Sequence, residues 1–186
     1  MKTILKSVLT LGLAAGLGLA ANAQKTATAP ASATILADLT ITLDGTQDEI
    51  AFGNISASTP GAIVLDANGT DNANTGTITN VARFDLAGAA ASVTVSYSAT
   101  VELANGDPTP ATMIMTPEVV GAAVSTAQSG ALPVPNNSTI TLVDNPDTTP
   151  AVDPIYFIWV GGTIPALSGQ ATGLYTGVFN ISVEYN

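Results

Sequence analysis

With no histidine and no cysteine in the chain, chemistry has to come from carboxylates, hydroxyls and amides. Ser-His-Asp and Cys-His nucleophilic catalysis are excluded. So are His- or Cys-ligated zinc, haem and iron–sulfur centres. A carboxylate pair could still serve as acid and base on a sugar, and Asp48, Glu49 and Asp85 are the candidates. No spacing singles out a pair among them, and the few aromatics do not suggest a sugar platform. No Gly-rich loop opens a helix to cradle a phosphate. The expectation is a protein that is not an enzyme, with no catalytic residues and no cofactor.

The run DANGTDN, residues 66–72, admits a second kind of chemistry. Asp66, Asn68 and Asp71 are hard oxygen donors around Gly69, the ligand type that calcium prefers. The glycine is not where a helix–loop–helix calcium loop places it, and no glutamate closes the run. The alternative is an Asn-Gly turn between two strands, since that dipeptide supplies hairpin chemistry. Tyr156 and Trp159 could meet a ligand, but they stand in an all-apolar run, IYFIWV, that reads as core. Arg83 is expected to pair with a nearby acid.

The surrounding chain sets the compartment and the charge. Lys2 and Lys6, the apolar run Ser7–Ala20 and Ala21-Asn22-Ala23 have the three parts of a secretory signal peptide, with cleavage expected before Gln24. The apolar run is shorter than the ~20 residues of a spanning helix, so no membrane span is expected. Residues 24–186 then form one domain, with 24–34 as an N-terminal extension or donor strand. They carry fourteen acids against Lys25 and Arg83, a formal charge of −12. Two cations cannot neutralise a nucleic-acid backbone, so no nucleic-acid partner is expected. Without disulfides, stability must come from packing.

No segment has the pattern of a long helix. Gly, Pro, Asn, Asp and Thr punctuate the chain, and apolar residues recur with period two. Strands are expected over Ala33–Leu43, from Ile50, over Ala62–Asp66, Thr77–Leu86, Val93–Ala99, Met113–Met115 and Ile140–Val143. A further strand is expected over Ile155–Val160, central and covered on both faces, with Gly161-Gly162 as the turn that ends it. Long polar loops are expected over 68–76, 105–110, 128–137 and 145–154. At the C-terminus Phe179, Ile181, Val183 and Tyr185 share one face of a strand, so this core strand is expected to be the end of the fold. Many short strands between turn signals imply an all-β, antiparallel, immunoglobulin-like β-sandwich.

Several blocks, in order, resemble a known family. They are ATILADLTIT, IAFGNI, GAIVLDANG, ARFDLAG, VTVSYSATVELANG, MIM, WVGGTI and GLYTGVFNISVEYN. Together they resemble the bacterial secreted domains of unknown function called DUF4402. The resemblance implies an exported β-sandwich and brings no catalytic residues. A looser resemblance, over Gly173–Asn186 alone, is to chaperone–usher pilins, which also end on an alternating strand with a penultimate tyrosine.

The start of residues 24–186 supplies the functional expectation. Ala27, Ala29, Ala31, Ala33 and Ile35 continue in odd register through Ala37, Leu39, Ile41 and Leu43. As one strand this run would be over ~50 Å long, beyond the usual length. One part can belong to the home sandwich and another to a neighbour's open sheet edge. The reading is an exported, pilin-like structural subunit of a surface filament, found in the periplasm, at the cell surface or outside the cell. Its partners would be other copies of itself or a related subunit, with a periplasmic chaperone possible. The alternative is a monomeric secreted binding module for a polysaccharide or matrix component.

Overall fold

The structure is a computed structural model that describes residues 28–143 and 155–186. The expected leader 1–23, Ala27 and the expected loop 145–154 lie outside the described residues. The chain divides into two units, Met1–Ile35 and Leu36–Asn186. In the first, residues 28–35 form no strand or helix and are exposed.

The second unit is an antiparallel, sandwich-like all-β fold, and among the described residues it has no α-helix. Its strands are β1 (Thr40–Leu43), β2 (Ile63–Leu65), β3 (Ala82–Ala87), β4 (Ser92–Tyr97), β5 (Val101–Asn105) and β6 (Thr112–Ala122). They continue with β7 (Leu132–Pro133), β8 (Ser138–Thr141), β9 (Ile155–Ile164), β10 (Tyr175–Thr176) and β11 (Ile181–Tyr185). One sheet has the order β1-β3-β9-β6-β5-β10, with β2 paired to β9 and β7 to β6; the other is β11-β4-β8.

Strand β9 is the axis of the large sheet. Its apolar residues of both parities have neighbours on both faces, which is why IYFIWV does not alternate. Ile158 and Val160 join Leu86, Val93 and Val95 in one core cluster. Phe157 and Trp159 join Ile63, Leu65 and Val120 in the other. Trp159 is therefore core, only 1% exposed.

Three expected elements are corrected. The alternating run 33–43 forms a strand only over Thr40–Leu43, where it pairs with β3. Upstream the odd positions are mostly alanine, whose small side chains bury too little area to hold a strand in place. Gly161-Gly162 is not a turn but lies inside β9, opposite Glu118 and Pro117 of β6. The glycines are there for space: the chain leaving β2 at Leu65–Ala67 passes so close over Gly161 that a Cβ would collide with the Leu65 carbonyl. A Cβ on Gly162 would lie 2.8 Å from the Thr116 carbonyl. Finally, MIM begins an 11-residue strand rather than a short one. Its Pro117 falls between the stretch that pairs with β5 and the stretch that pairs with β7. On that flank no described strand needs its missing N–H.

Other differences are smaller. The Ile50 region makes one isolated bridge, Ala51 to Asn80, and Thr77–Val81 precedes β3 without joining it. The loop 128–137 contains a 3-10 turn, Gln128–Gly130, and β7.

Candidate functional site

The DANGTDN segment is a structural knot. Val64 and Ala73 exchange backbone hydrogen bonds, closing a hairpin, and the Gly69 N–H donates to the Asp66 carbonyl at 2.9 Å. The turn therefore runs Asp66 to Gly69, with Asp first and Gly last, rather than being centred on Asn-Gly. Gly69 has φ +74°, which glycine adopts without steric cost. The Asp66 carboxylate accepts the N–H groups of Asn68, Thr70 and Asp71 and the Thr70 hydroxyl. Burial alone would raise its pKa, but these four hydrogen bonds outweigh it and hold the carboxyl below its usual range. The Asn68 amide spends both donors on the Gln128 and Ala131 carbonyls, at 2.8 and 3.0 Å. Lone pairs turned to N–H donors suit a turn rather than a cation. Among the described residues no three acids gather to hold a metal.

The acidic candidates do not converge either. Asp85 receives Arg83 Nε at 2.7 Å, and Arg83 also reaches Asp44. Its guanidinium carbon lies 5.6 Å from the centre of the Phe157 ring. Asp44 caps the turn after β1, accepting from the Thr46 hydroxyl and the N–H groups of Thr46 and Gln47. Those bonds, with Arg83, pull its pKa down to about 2. Asp48 and Glu49 are exposed and stand on the lip of a groove described below.

The C-terminal strand is half-buried rather than sealed. Phe179, Ile181, Val183 and Tyr185 all pack against the core cluster of Leu86, Val93 and Ile158, and Phe179 lies between Phe84 and Tyr97 with ring centres 6.1 and 5.9 Å away. The Tyr185 hydroxyl is a latch: it accepts the Ala89 N–H at 2.6 Å and donates to the Ala37 carbonyl at 2.8 Å. Tyr185→Phe removes both bonds and leaves a part-buried N–H without its acceptor, so a loss of about 1–3 kcal/mol is expected, read from the urea midpoint. An unchanged midpoint would mean that water replaces the hydroxyl at no cost.

Strand β11 is an edge. It pairs with β4 on one side and, among the described residues, with no strand on the other. The Ser98 N–H donates to Asn180 and the Asn186 N–H to Ser92. The even residues thus bond to β4, and Ile181, Val183 and Tyr185 turn their N–H and C=O outward.

Where the chain runs from β10 toward β11, through Gly177, Val178 and Phe179, it lines an open groove of about 880 Å³. Val101, Leu103, Met113 and Met115 form its floor with Phe84 and Ile164. Val101 pairs with Met115 and Leu103 with Met113, so the four share one face of the sheet; Val101 and Met115 are buried in the core cluster of Phe157 and Trp159, and Leu103 and Met113 pack against it. Two segments, one from Asp48 and one from Gln170 to Phe179 that includes β10, form its walls.

A family model described as "Domain of unknown function (DUF4402)" matches residues 39–185. The chain belongs to the DUF4402 family. The match spans every strand of both sheets, so it describes the whole sandwich of this DUF4402 domain. Among curated proteins none matches the chain. In the described residues no helix is long and apolar enough to cross a membrane.

Of the remaining candidate residues, Ala29, Ala31, Ala33 and Ile35 are exposed and outside any strand, and Ala27 lies outside the described residues. The groove floor was missed by sequence reading. Its signal was present in VEL and MIM, an apolar alternation and an apolar run that face each other across the 105–110 loop. Nothing in one dimension says which segments line the space beside them.

Proposed function

We propose that the chain is an exported, non-catalytic structural subunit of a surface filament, assembled by strand addition from its N-terminal segment. One observation carries this reading. Residues 29–35 alternate as a strand does, yet residues 28–35 form no strand and Ile35 is 97% exposed. An alternating segment without a sheet is a template for pairing with another chain. Backbone hydrogen bonds would supply affinity, and the odd side chains would choose the register. A head-to-tail contact of this kind does not close and so grows a filament. The signal-like leader, the immunoglobulin-like plan and the pilin-like ending GLYTGVFNISVEYN belong to the same reading.

The test is electron microscopy of the mature protein with and without residues 24–34. Filaments are expected from the full mature chain and none from the shortened one. If the shortened chain still forms the same filaments, strand addition by this segment is wrong.

The groove favours a second reading, a monomeric exported binder for a polysaccharide or matrix component. An open groove of about 880 Å³ with a mixed polar and apolar lining is of the size that holds ligands. A full-length mature protein that never assembles under any secretion condition would make this the better account.

A further inference from the structure

We infer that the groove walled by residues 48–57 and 170–179 binds a small apolar ligand that carries a cationic group, an alkylamine being the simplest case. The inference rests on reading this groove as a ligand site and adds the ligand's chemistry; it does not depend on filament formation. The space is sufficient, since about 880 Å³ lies within the range of sites that bury small molecules. Val101 and Met115 are sealed into the core, so a ligand meets the residues around them. Leu103 and Met113 are only partly buried, and both line the groove. Leu43, Leu174 and Val178 line it too and are 47%, 80% and 74% exposed. A single exposed apolar residue needs no explanation. Five accessible ones around one concavity form a patch of the kind that marks a contact.

The charge of the lining decides the polar end of the ligand. One wall carries Asp48 and Glu49, both exposed, and the other carries Leu174 and Val178. Among the described residues no Lys or Arg lines the groove. Arg83, the one cation among them, is held by Asp44 and Asp85. Those two acids are thereby neutralised, and the pair on the wall is what a ligand would meet. A fatty acid or other anionic amphiphile would bring its charge to two carboxylates with no cation to receive it, on a body that already repels anions. A cationic head group has both carboxylates as partners while its chain covers the apolar rim.

The test titrates decyltrimethylammonium and decyl sulfate, each below its micelle concentration, into the full mature chain by calorimetry. The two probes share a chain and differ in charge. The cation is expected to bind at one site at least about tenfold tighter than the sulfate at low salt, because the same carboxylates attract one head group and repel the other. The gap should narrow as salt is raised. Leu174→Ser with Val178→Ser, both on exposed positions, should keep the unfolding midpoint and weaken both probes at least about fivefold. Asp48→Asn with Glu49→Gln should remove most of the preference for the cation. Asp38→Asn with Glu184→Gln makes the same charge change at exposed positions outside the lining and should keep the preference. An equal loss in the two charge pairs would show that net charge alone draws the cation, and would overturn the site. Unaltered affinity in the serine variant, or equal affinity for the sulfate, would overturn it as well. If neither probe binds while a cellulose or dextran matrix retards the chain, the ligand's chemistry is wrong and the binder reading stands. If neither the probes nor the matrices bind, both are overturned.

Discussion

Gly161→Val is expected to destabilise the protein by about 3 kcal/mol or more, among the largest losses available from a single substitution. Inside β9, at the middle of the large sheet, Gly161 is crossed by the backbone leaving β2. A first side-chain carbon there would collide with the Leu65 carbonyl and lie 2.8 Å from the Ala67 nitrogen. Both obstacles are backbone, and the Ala67 N–H is already committed to Glu118, so neither can swing aside as a side chain would. Relief requires shifting β2, whose Ile63 and Leu65 are fully buried. The comparison is Gly45→Ala, where no atom lies within 4 Å of the new carbon and a change within about 0.5 kcal/mol is expected. Urea unfolding of the two variants decides it. Equal midpoints would mean that the backbone leaving β2 does not pass over Gly161 as the structure has it.

That glycine pair also shows where the sequence stops being legible. Gly-Gly after an apolar run is a turn signal in one dimension. It is equally the signal for close approach of another strand, and only the register tells them apart. IYFIWV was legible as a central strand because apolarity on both parities has few other solutions. The C-terminal stripe was legible in its parity, but not in its degree of burial, which depends on β11 being an edge. Asp66 was visible as an oxygen donor, whereas its N–H donors are backbone groups that carry no letter in the sequence. The groove was hidden for a related reason. Val101, Leu103, Met113 and Met115 look like ordinary core positions, and Val101 and Met115 are buried as such; the groove beside them depends on how residues 48–57 and 170–179 pass over the sheet.

Ile35→Asp is expected to abolish assembly while leaving the subunit folded. In the isolated chain Ile35 is 97% exposed, so its replacement removes no packing and should move the unfolding midpoint by less than about 0.5 kcal/mol. In the assembled state its side chain would be the main apolar anchor of the incoming strand. A carboxylate in its place would lose that burial and would itself need desolvating without a partner, at a cost of roughly 2–7 kcal/mol if it is buried as a neutral polar group and more if it stays ionised. It would also sit on an acidic body whose one described cation, Arg83, is occupied by Asp44 and Asp85. Since each 1.4 kcal/mol is a factor of about ten, even the low end weakens the contact more than about 20-fold. Ile35→Lys separates the two contributions. It carries the same desolvation penalty but the opposite charge, so it should assemble better than Ile35→Asp and worse than Ile35→Leu. Sedimentation of the three variants at matched concentration gives the order. An Ile35→Asp protein that polymerises like the parent would show that the anchor lies elsewhere. A shifted unfolding midpoint would show instead that Ile35 packs within its own subunit.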